Sequence, residues 1–314
     1  MKSILCPTDF SDPSEIALEA AARLARHENA ELLVLHVTPP LEPVLGIAST
    51  LEFEEGVREE ITERLCALIE KCVPPDVRAS PLVSIGQVVV EIRRAAERQQ
   101  ADAIVIATHG RAGWARLAFG SVADAVMREA ACPVFAIGPE CAARPRRACL
   151  EFPFRQVLCP TDWSAPSERA VEQAFALCRR YNAELLLLHV VEPPCFTVSE
   201  LEEEPVWRKR HREAKEKFAA LRESQPDTRN ARCLVECGNA AQEIARVARG
   251  EEADLIVMST HGASGWANGW RRAFGSVAQK VLGQAACAVL VLPAAPAAAP
   301  LPENAGAEAV KAAR

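Results

Sequence analysis

Apolar runs alternate along the chain with longer amphipathic stretches, and this alternation predicts strands and helices in turn. The runs over 30–37 and 103–107 are almost unbroken in apolar residues. Strands of that kind are covered on both faces, as in a parallel sheet with helices on either side. In the first half we predict strands over 2–7, 31–38, 77–84, 102–108 and 132–138, and helices over 13–28, 54–72, 87–99 and 121–130.

The second half repeats this plan, with strands predicted near 155–159, 184–191, 230–237, 254–259 and 287–293. The residues repeat as well, since Cys6-Pro7-Thr8-Asp9 returns 153 positions later as Cys159-Pro160-Thr161-Asp162. A period near 150 residues is too long for a solenoid unit and has the size of a domain. With right-handed crossovers, the pattern predicts two tandem, doubly wound α/β domains. Each would hold a parallel five-stranded sheet with helices on both faces.

The predicted boundaries follow from where the periodicity stops. We place the first domain at 1–140, a linker at 141–153, the second domain at 154–293 and a tail at 294–314. The segment from Gly138 to Pro153 contains three prolines and shows neither helical nor strand periodicity. The tail is rich in Ala and Pro and cannot form a core, so we expect it to be disordered.

Composition and charge narrow the function classes. A net charge of -6 argues against a nucleic-acid partner, because such proteins normally present a basic face to the phosphates. We find no signal peptide and no apolar run near the ~20 residues of a membrane span, which predicts a cytoplasmic protein without a membrane partner. The 12 cysteines lack zinc-site spacing, so we predict no metal site and mostly free thiols. Four repeat-equivalent cysteines are expected to be small core residues: Cys6, Cys132, Cys159 and Cys287.

Two repeated clusters lie where a doubly wound sheet binds its ligands, at the carboxyl ends of the strands. Pro7-Thr8-Asp9 follows the first strand, and Thr108-His109-Gly110 follows the fourth and opens a loop that ends at Gly120-Ser121 before a helix. Small residues let the backbone approach a phosphate, and N–H groups at a helix start favour an anion. A carboxylate across the cleft suits the two hydroxyls of a ribose. Together these parts predict a nucleotide site.

The clusters resemble those of the universal stress protein family, whose nucleotide-binding members show Gly-x2-Gly-x9-Gly-Ser/Thr after the fourth strand and an Asp after the first. The first half has the full spacing from Ala107 through Gly110 to Gly120-Ser121, with only the leading Gly replaced. In the second half Ser259 stands at the leading position, and the loop holds three extra residues. We therefore expect the second site to bind more weakly or not at all.

The resemblance implies a Rossmann-like, adenine nucleotide alpha hydrolase-like fold that binds ATP or another adenine nucleotide, with or without Mg²⁺. By position, Pro7 and Asp9 would meet the ribose and adenine side, Val37 the adenine, and the Gly120 region the phosphates. The residues implied in the first half are Pro7, Thr8, Asp9, Val37, Ala107, Gly110, Gly120, Ser121 and Val122. Those implied in the second half are Pro160, Asp162, Val190, Ser259, Gly262, Gly275, Ser276 and Val277.

Several of these residues also have a structural interpretation. Asp9 and Asp162 could cap the following helices. Neither His109 nor His261 has a Ser, Cys or Asp partner at a recognisable spacing, so we expect them to orient their loops rather than to catalyse. The strand histidines His36 and His189 are expected to be packed or hydrogen-bonded, and the loop tryptophans (Trp114, Trp266 and Trp270) to seal a surface.

The leading functional hypothesis is a nucleotide-binding stress-response module that is not an enzyme, with at most slow ATP hydrolysis. The chain has no Gly-x4-Gly-Lys-Ser/Thr motif, and neither phosphate loop contains a Lys. One alternative is an adenylating or ATP-hydrolysing enzyme on a related fold. Such enzymes carry Ser-Gly-Gly-x-Asp-Ser after the first strand, whereas this chain has Pro7-Thr8-Asp9-Phe10-Ser11. The other alternative is an interaction scaffold without bound nucleotide.

The fifth strands of the two halves are expected to meet. Residues 133–137 and 288–292 are short apolar edge candidates, and an unprotected edge invites pairing. Universal stress proteins resemble one another in dimerising through this strand. We therefore predict an intramolecular pseudo-dimer with its clefts facing outward, and leave open a further homo-oligomer.

Overall fold

A computed structural model describes residues 1–39, 50–110, 120–143, 152–192, 206–224, 231–260 and 275–293. Its first-half strands are β1 (Ser3–Pro7), β2 (Glu31–Thr38), β3 (Ala79–Ile85), β4 (Ala103–Ala107) and β5 (Val134–Ile137). Its second-half strands are β6 (Gln156–Pro160), β7 (Glu184–Val191), β8 (Arg232–Cys237), β9 (Leu255–Ser259) and β10 (Ala288–Leu292). The helices are α1 (Asp12–Glu28), α2 (Thr50–Cys72), α3 (Val88–Arg98), α4 (Ser121–Glu129), α5 (Pro139–Ala142), α6 (Ala165–Tyr181), α7 (Val206–Ser224), α8 (Ala240–Gly250) and α9 (Ser276–Gln284).

The strands form one ten-stranded sheet in the order β3-β2-β1-β4-β5-β10-β9-β6-β7-β8. All pairs within a half are parallel, which confirms the predicted doubly wound α/β architecture. The halves join through β5 and β10, which pair antiparallel, so the predicted meeting of the fifth strands is also confirmed. Because the joining pair is antiparallel, the carboxyl ends of the two sets of strands lie at opposite edges of the sheet.

The join has the register of a two-fold axis. Phe135 pairs with Leu290, which is its equivalent in the second half, 155 positions later. Ala136 and Val134 pair with Val289 and Val291, so each residue meets the equivalent of the other. That reciprocity is typical of an isologous interface.

Helices cover both faces of the sheet, and each core runs through both halves. One core contains buried residues of α1, α2, α5, α6 and α7, and the other contains buried residues of α3, α4, α8 and α9. Leu5, Val34 and Ile104 are fully buried between these layers. This burial on both sides explains why the strands read as continuous apolar runs.

One repeated motif proves to be structural. Asn29 and Asn182, which stand at equivalent positions, end α1 and α6 in the left-handed conformation, with φ of 51° and 53°. Asn tolerates this conformation better than other residues with a side chain, and its N–H then donates to the last turn of the helix. Repetition outside the apolar stripes therefore marks helix ends as well as binding sites.

The structure corrects two expectations around residues 132–142. The linker was expected to lack helical structure from Gly138 onward, but Pro139–Ala142 forms a short helix whose Cys141 is buried in the core. Cys132 was expected to be a strand residue of the core, but it precedes β5 and is only partly buried. Cys6, Cys159 and Cys287 are buried, and burial raises the pKa of the Cys6 and Cys159 thiols.

Among the described residues, Cys141 is the one cysteine in a disulfide, and its partner lies outside the described ranges. Within the same ranges, none of the helices has the length and apolarity that crossing a bilayer requires. The predicted tail at 294–314 and most of the predicted linker lie outside the described residues.

Candidate functional site

A cleft of about 400 Å³ opens in the first half at the carboxyl ends of β1, β2 and β4. This volume lies within the ~300–1,000 Å³ range of small-molecule sites. The cleft is lined by all nine residues that the sequence implicated in the first half: Pro7, Thr8, Asp9, Val37, Ala107, Gly110, Gly120, Ser121 and Val122. The topology therefore brings together segments that are more than a hundred residues apart in the chain, such as 7–9 and 120–122.

The N-terminus of α4 forms one wall of this cleft. Ser121, Val122 and Ala123 line the cleft, and their N–H groups precede the first intrahelical bond, which Asp124 N–H donates to the Gly120 carbonyl. The N-cap of this helix is Gly120, which has no side chain with which to occupy these N–H groups. Such N–H groups, together with the positive end of the helix dipole, favour an anionic ligand.

Two glycines permit the close packing of the loop ends. A Cβ on Gly120 would lie 2.8 Å from the Thr108 carbonyl oxygen, to which the Gly120 N–H donates at 2.9 Å. A Cβ on Gly110 would lie 2.7 Å from Asp9 Oδ2. Any side chain at either position would therefore displace a neighbour, and Gly110 in particular leaves room for the Asp9 carboxylate.

Asp9 has a local role before α1 and also lines the cleft. Its Oδ1 accepts hydrogen bonds from the Ser11 N–H at 3.1 Å and from the Ser11 hydroxyl at 2.5 Å. The N-cap of α1 is Ser11, so Asp9 fixes the turn before the helix and does not itself cap it. The other oxygen, Oδ2, is the one beside Gly110.

Buried polar groups behind Asp9 hold the end of β1 in place. Thr8 is buried, and its hydroxyl pairs with Ser14 Oγ at 2.9 Å. His36 Nδ1 lies 2.8 Å from the Thr8 carbonyl oxygen, and its ring packs 4.6 Å from that of Phe10. His189 makes the equivalent bond to Thr161 at 2.8 Å. The prediction that these strand histidines are hydrogen-bonded is confirmed.

His109 faces its own loop. Its Nδ1 lies 2.9 Å from the hydroxyl of Thr108, which is fully buried. Burial lowers the pKa of the His109 imidazole, so the ring is neutral at pH 7. This arrangement fits the loop-orienting role that the sequence favoured.

The second half has an equivalent but smaller cleft, of about 150 Å³. It is lined by seven of the eight residues implicated there: Pro160, Asp162, Val190, Ser259, Gly275, Ser276 and Val277. Asp162 Oδ1 accepts from the Ser164 N–H, and Gly275 N–H donates to the Thr260 carbonyl, as their counterparts do in the first half. Gly262, His261 and the tryptophans Trp114, Trp266 and Trp270 lie outside the described residues.

The replaced leading glycines do not strain the backbone. Ala107 is the last residue of β4 and pairs with Ile137, and Ser259 ends β9 opposite Leu292. Neither is among the described residues with positive φ. Since both positions are ordinary strand, the loss of Gly there removes no required conformation.

Sequence reasoning missed part of the lining. Ser14 lines the first cleft, and its equivalent Ser167 lines the second. The repetition of this serine in the sequence could therefore have identified it as a cleft residue. Val88, Ile92 and Ile106 also line the first cleft, but they look like ordinary core residues in the sequence. Only the packing of α3 over the sheet brings Val88 and Ile92 to the cleft. Within the described residues, no group of three or more His, Cys, Asp and Glu side chains could hold a metal ion.

These features define a class of duplicated, doubly wound α/β protein that has a ligand-sized cleft at the carboxyl ends of its first set of strands. The chain belongs to the universal stress protein family, because the family profile matches residues 1–138 and again residues 153–293. This double match also accounts for the internal repeat.

Individual relatives support the assignment. Universal stress protein MJ0531 of Methanocaldococcus jannaschii is 32% identical over 139 residues, which cover 43% of this chain and 81% of that protein. Universal stress protein Rv2005c of Mycobacterium tuberculosis is 30% identical over 198 residues, or 61% of this chain and 62% of that protein. The crystal structure of a universal stress protein from Archaeoglobus fulgidus shares the fold, with a TM-score of 0.61 at 21% identity, covering 93% of this chain and 98% of that one.

Proposed function

We propose that this universal stress protein binds an adenine nucleotide in the cleft of its first half. The observation that carries the proposal is the position of the Asp9 carboxylate in the same cleft as the uncapped start of α4. A nucleotide needs both features, because its ribose offers two hydroxyl donors and its phosphates are anionic. The size of the cleft suits such a ligand.

The two ends of the cleft differ in character, and this difference sets the orientation of the nucleotide. Val37, Val88, Ile92 and Ile106 form an apolar side against which an adenine ring would pack. The phosphates would lie at the other side, on the N–H groups at the start of α4. Asp9 Oδ2 would accept hydrogen bonds from the ribose between these two ends.

We also propose that the protein acts by binding and does not turn ATP over rapidly. Fast phosphoryl transfer requires charged groups or a metal ion around the transferred phosphate. The phosphate loops contain arginines but no Lys, and the chain has no Gly-x4-Gly-Lys-Ser/Thr motif to cradle the phosphates and hold Mg²⁺. His109 is neutral and bonded to Thr108. Any Mg²⁺ would have to arrive with the nucleotide, and it would screen the phosphate charge.

The direct test is to denature the freshly purified full chain and to identify the nucleotide that is released by chromatography and mass spectrometry. We expect an adenine nucleotide, and much less of it from Asp9→Asn than from the matched variant Asp162→Asn. Absence of nucleotide, together with no binding of added ATP, AMP or cAMP at millimolar concentration, would support an interaction scaffold instead. Phosphate release at several turnovers per second would support an enzyme.

A further inference from the structure

The surfaces through which the two halves meet carry different residues at equivalent positions. Glu28 ends α1, and its equivalent 153 positions later is Tyr181 at the end of α6. Across the join, the Tyr181 hydroxyl donates to Glu28 Oε1 at 2.5 Å, and Arg180 forms an ion pair with the same carboxylate. The Glu28 side chain is 2% exposed, so this carboxylate is buried among partners supplied largely by the other half.

Two further groups complete this contact. The Met1 amino group, from the same half as Glu28, donates to Glu28 Oε2 at 2.7 Å. Burial and then the Glu28 carboxylate raise the pKa of the Tyr181 hydroxyl, so it remains a donor at neutral pH. His27, the equivalent of Arg180, packs its ring 5.4 Å from that of Tyr181.

A second unlike pair lies on the opposite face of the sheet. Asp124 of α4 and Gln279 of α9 are equivalents, 155 positions apart, and Gln279 Nε2 donates to Asp124 Oδ1 at 3.4 Å. Asp124 also pairs with Arg128 of its own helix at 2.7 Å. A carboxylate therefore faces an amide across the axis, where two identical halves would place two carboxylates or two amides.

A third pair of unlike residues, Gly138 and Pro293, differs in the space that each needs at the join. Gly138 follows β5, and a Cβ at this position would lie 2.2 Å from the carbonyl oxygen of Leu282 in the other half. The equivalent of Gly138 is Pro293. In a pair of two second halves, a proline ring would have to occupy the space that only glycine fits here.

From these three pairs we infer that the surface around β5 and β10 selects unlike partners: a first half binds a second half and rejects another first half. Two first halves about the same axis would set Glu28 against Glu28. Each would keep its own Met1 amino group, but His27 would replace Arg180 and the Tyr181 hydroxyl would be lost. Two second halves would leave Arg180 without its carboxylate and set Pro293 against the Leu282 carbonyl. A buried charge that loses its partner is strongly disfavoured, and such repulsion of wrong partners is an effective source of specificity.

The partner that fits this surface is therefore the second half of this chain or of another copy. Any larger assembly through this surface would form by exchange of halves between copies, because like halves do not fit. The inference does not depend on nucleotide binding.

The test uses the whole chain with a specific protease site inserted between Arg146 and Arg147. The Cys141 disulfide is first reduced and kept reduced, because its bond could otherwise hold the cleaved halves together. The cleaved protein, with both halves present, is then unfolded in urea, refolded by dilution and weighed by native mass spectrometry. Random pairing about a two-fold axis would make like pairs about half of all complexes. We expect unlike pairs to exceed like pairs by at least ~100-fold, since the loss of a buried ion pair has an effect of that order. Like pairs near the random share, or free halves as the main species, would overturn the inference.

Glu28→Gln provides the second arm, with Glu19→Gln as its matched control. Glu19 lies on the same helix but pairs with Arg23 of that helix at 3.6 Å. Removing the Glu28 charge should raise the share of first-half pairs at least ten-fold above the share in the cleaved, unsubstituted protein. Glu19→Gln should leave this share unchanged. An equal effect of the two variants would show that Glu28 does not select the partner.

Discussion

The two clefts are built to one plan but differ in size and in the number of residues between their glycines. Each places an Asp after the first strand, an unstrained strand residue at the leading position, and a helix that begins at Ser with Gly as its N-cap. The first cleft measures about 400 Å³ and the second about 150 Å³. The comparison teaches that the polar residues lining a cleft can be retained while the volume of the cleft shrinks.

The difference does not arise from the replaced glycines, because Ala107 and Ser259 both adopt ordinary strand geometry. Two sequence differences near the clefts remain. The lining changes from Val88 and Ile106 to Ala240 and Met258, and the second half has three extra residues between Gly262 and Gly275. We therefore predict, from the loop length and the cleft volume, that the first half binds nucleotide more strongly than the second. The following variants test this prediction.

The largest expected effect is that of Asp9→Asn on ATP affinity. Asparagine keeps an acceptor for Ser11, so the turn should persist, while the charge beside the ribose is lost. A hydrogen bond to a charged group contributes about 1.5–3 kcal/mol, so affinity should fall by about 10- to 100-fold. Calorimetry of the full chain measures this change. Asp162→Asn is the matched variant in the second half and should alter affinity less than about two-fold. If Asp162→Asn proved the more damaging, the assignment of the halves would be reversed.

Gly110→Ala should have the next largest effect. The new Cβ would lie 2.7 Å from Asp9 Oδ2 and would push the carboxylate from its position. We expect about ten-fold weaker ATP binding, which corresponds to the low end of the contribution of a hydrogen bond to a charged group, about 1.5 kcal/mol. Gly56→Ala is the control, because nothing lies within 4 Å of the Cβ that it adds. Unchanged affinity in Gly110→Ala would argue that Asp9 does not touch the ligand.

Ala107→Gly should have a small effect, even though it restores the leading residue of the family pattern. Ala107 is the last residue of a strand, and its backbone does not need a positive φ. Affinity should change by less than about three-fold, with a slight loss of stability from the flexible glycine. A gain of ten-fold or more in calorimetry would mean that the methyl group of Ala107 blocks the phosphates.

The smallest effect concerns the pH dependence of stability. Burial lowers the pKa of His189 below its ordinary value of 6.5, as burial also does for His109. Below pH 6.5 the unfolded chain then binds more protons than the folded chain. The free energy of unfolding is therefore highest above that pH and falls as the pH decreases. His189→Gln should flatten the fall in melting temperature between pH 7 and 5.5. A profile as steep as that of the unsubstituted protein would exclude His189 as its source.

Two simple variants would be poor tests of the join and of the phosphate site. Lys at Val134 and Val289 would disrupt the join, but both residues are 1% exposed within the sheet. A buried lysine there would destabilise the core of each half as well as the pairing. Likewise, Gly120→Val would displace the Thr108 carbonyl whether or not a phosphate binds.

Much of the architecture could be predicted from the sequence, because apolar runs such as 103–107 identify strands covered on both faces. The strand bounds agreed to within about two residues, and the edge argument placed β5 against β10. The helix at Pro139–Ala142 could not be predicted, because four residues are too few to show a helical period.

The site was predictable where its residues repeat at fixed offsets. Asp9, Gly120 and Ser121 stood out in this way, and Ser14 could have been found by the same comparison. The apolar side of the cleft could not be found, since Val88 and Ile92 have the pattern of any core-facing helix. The volumes of the two clefts depend on packing between distant segments, so no local pattern records them.

The central claim is that one half of a duplicated chain holds the nucleotide, and the number of ATP molecules bound per chain tests it most directly. Calorimetric titration of nucleotide-free full-length protein should give one strong site, which Asp9→Asn weakens and Asp162→Asn leaves intact. Two equal and independent sites, or a single site that depends on Asp162 and not on Asp9, would contradict the account.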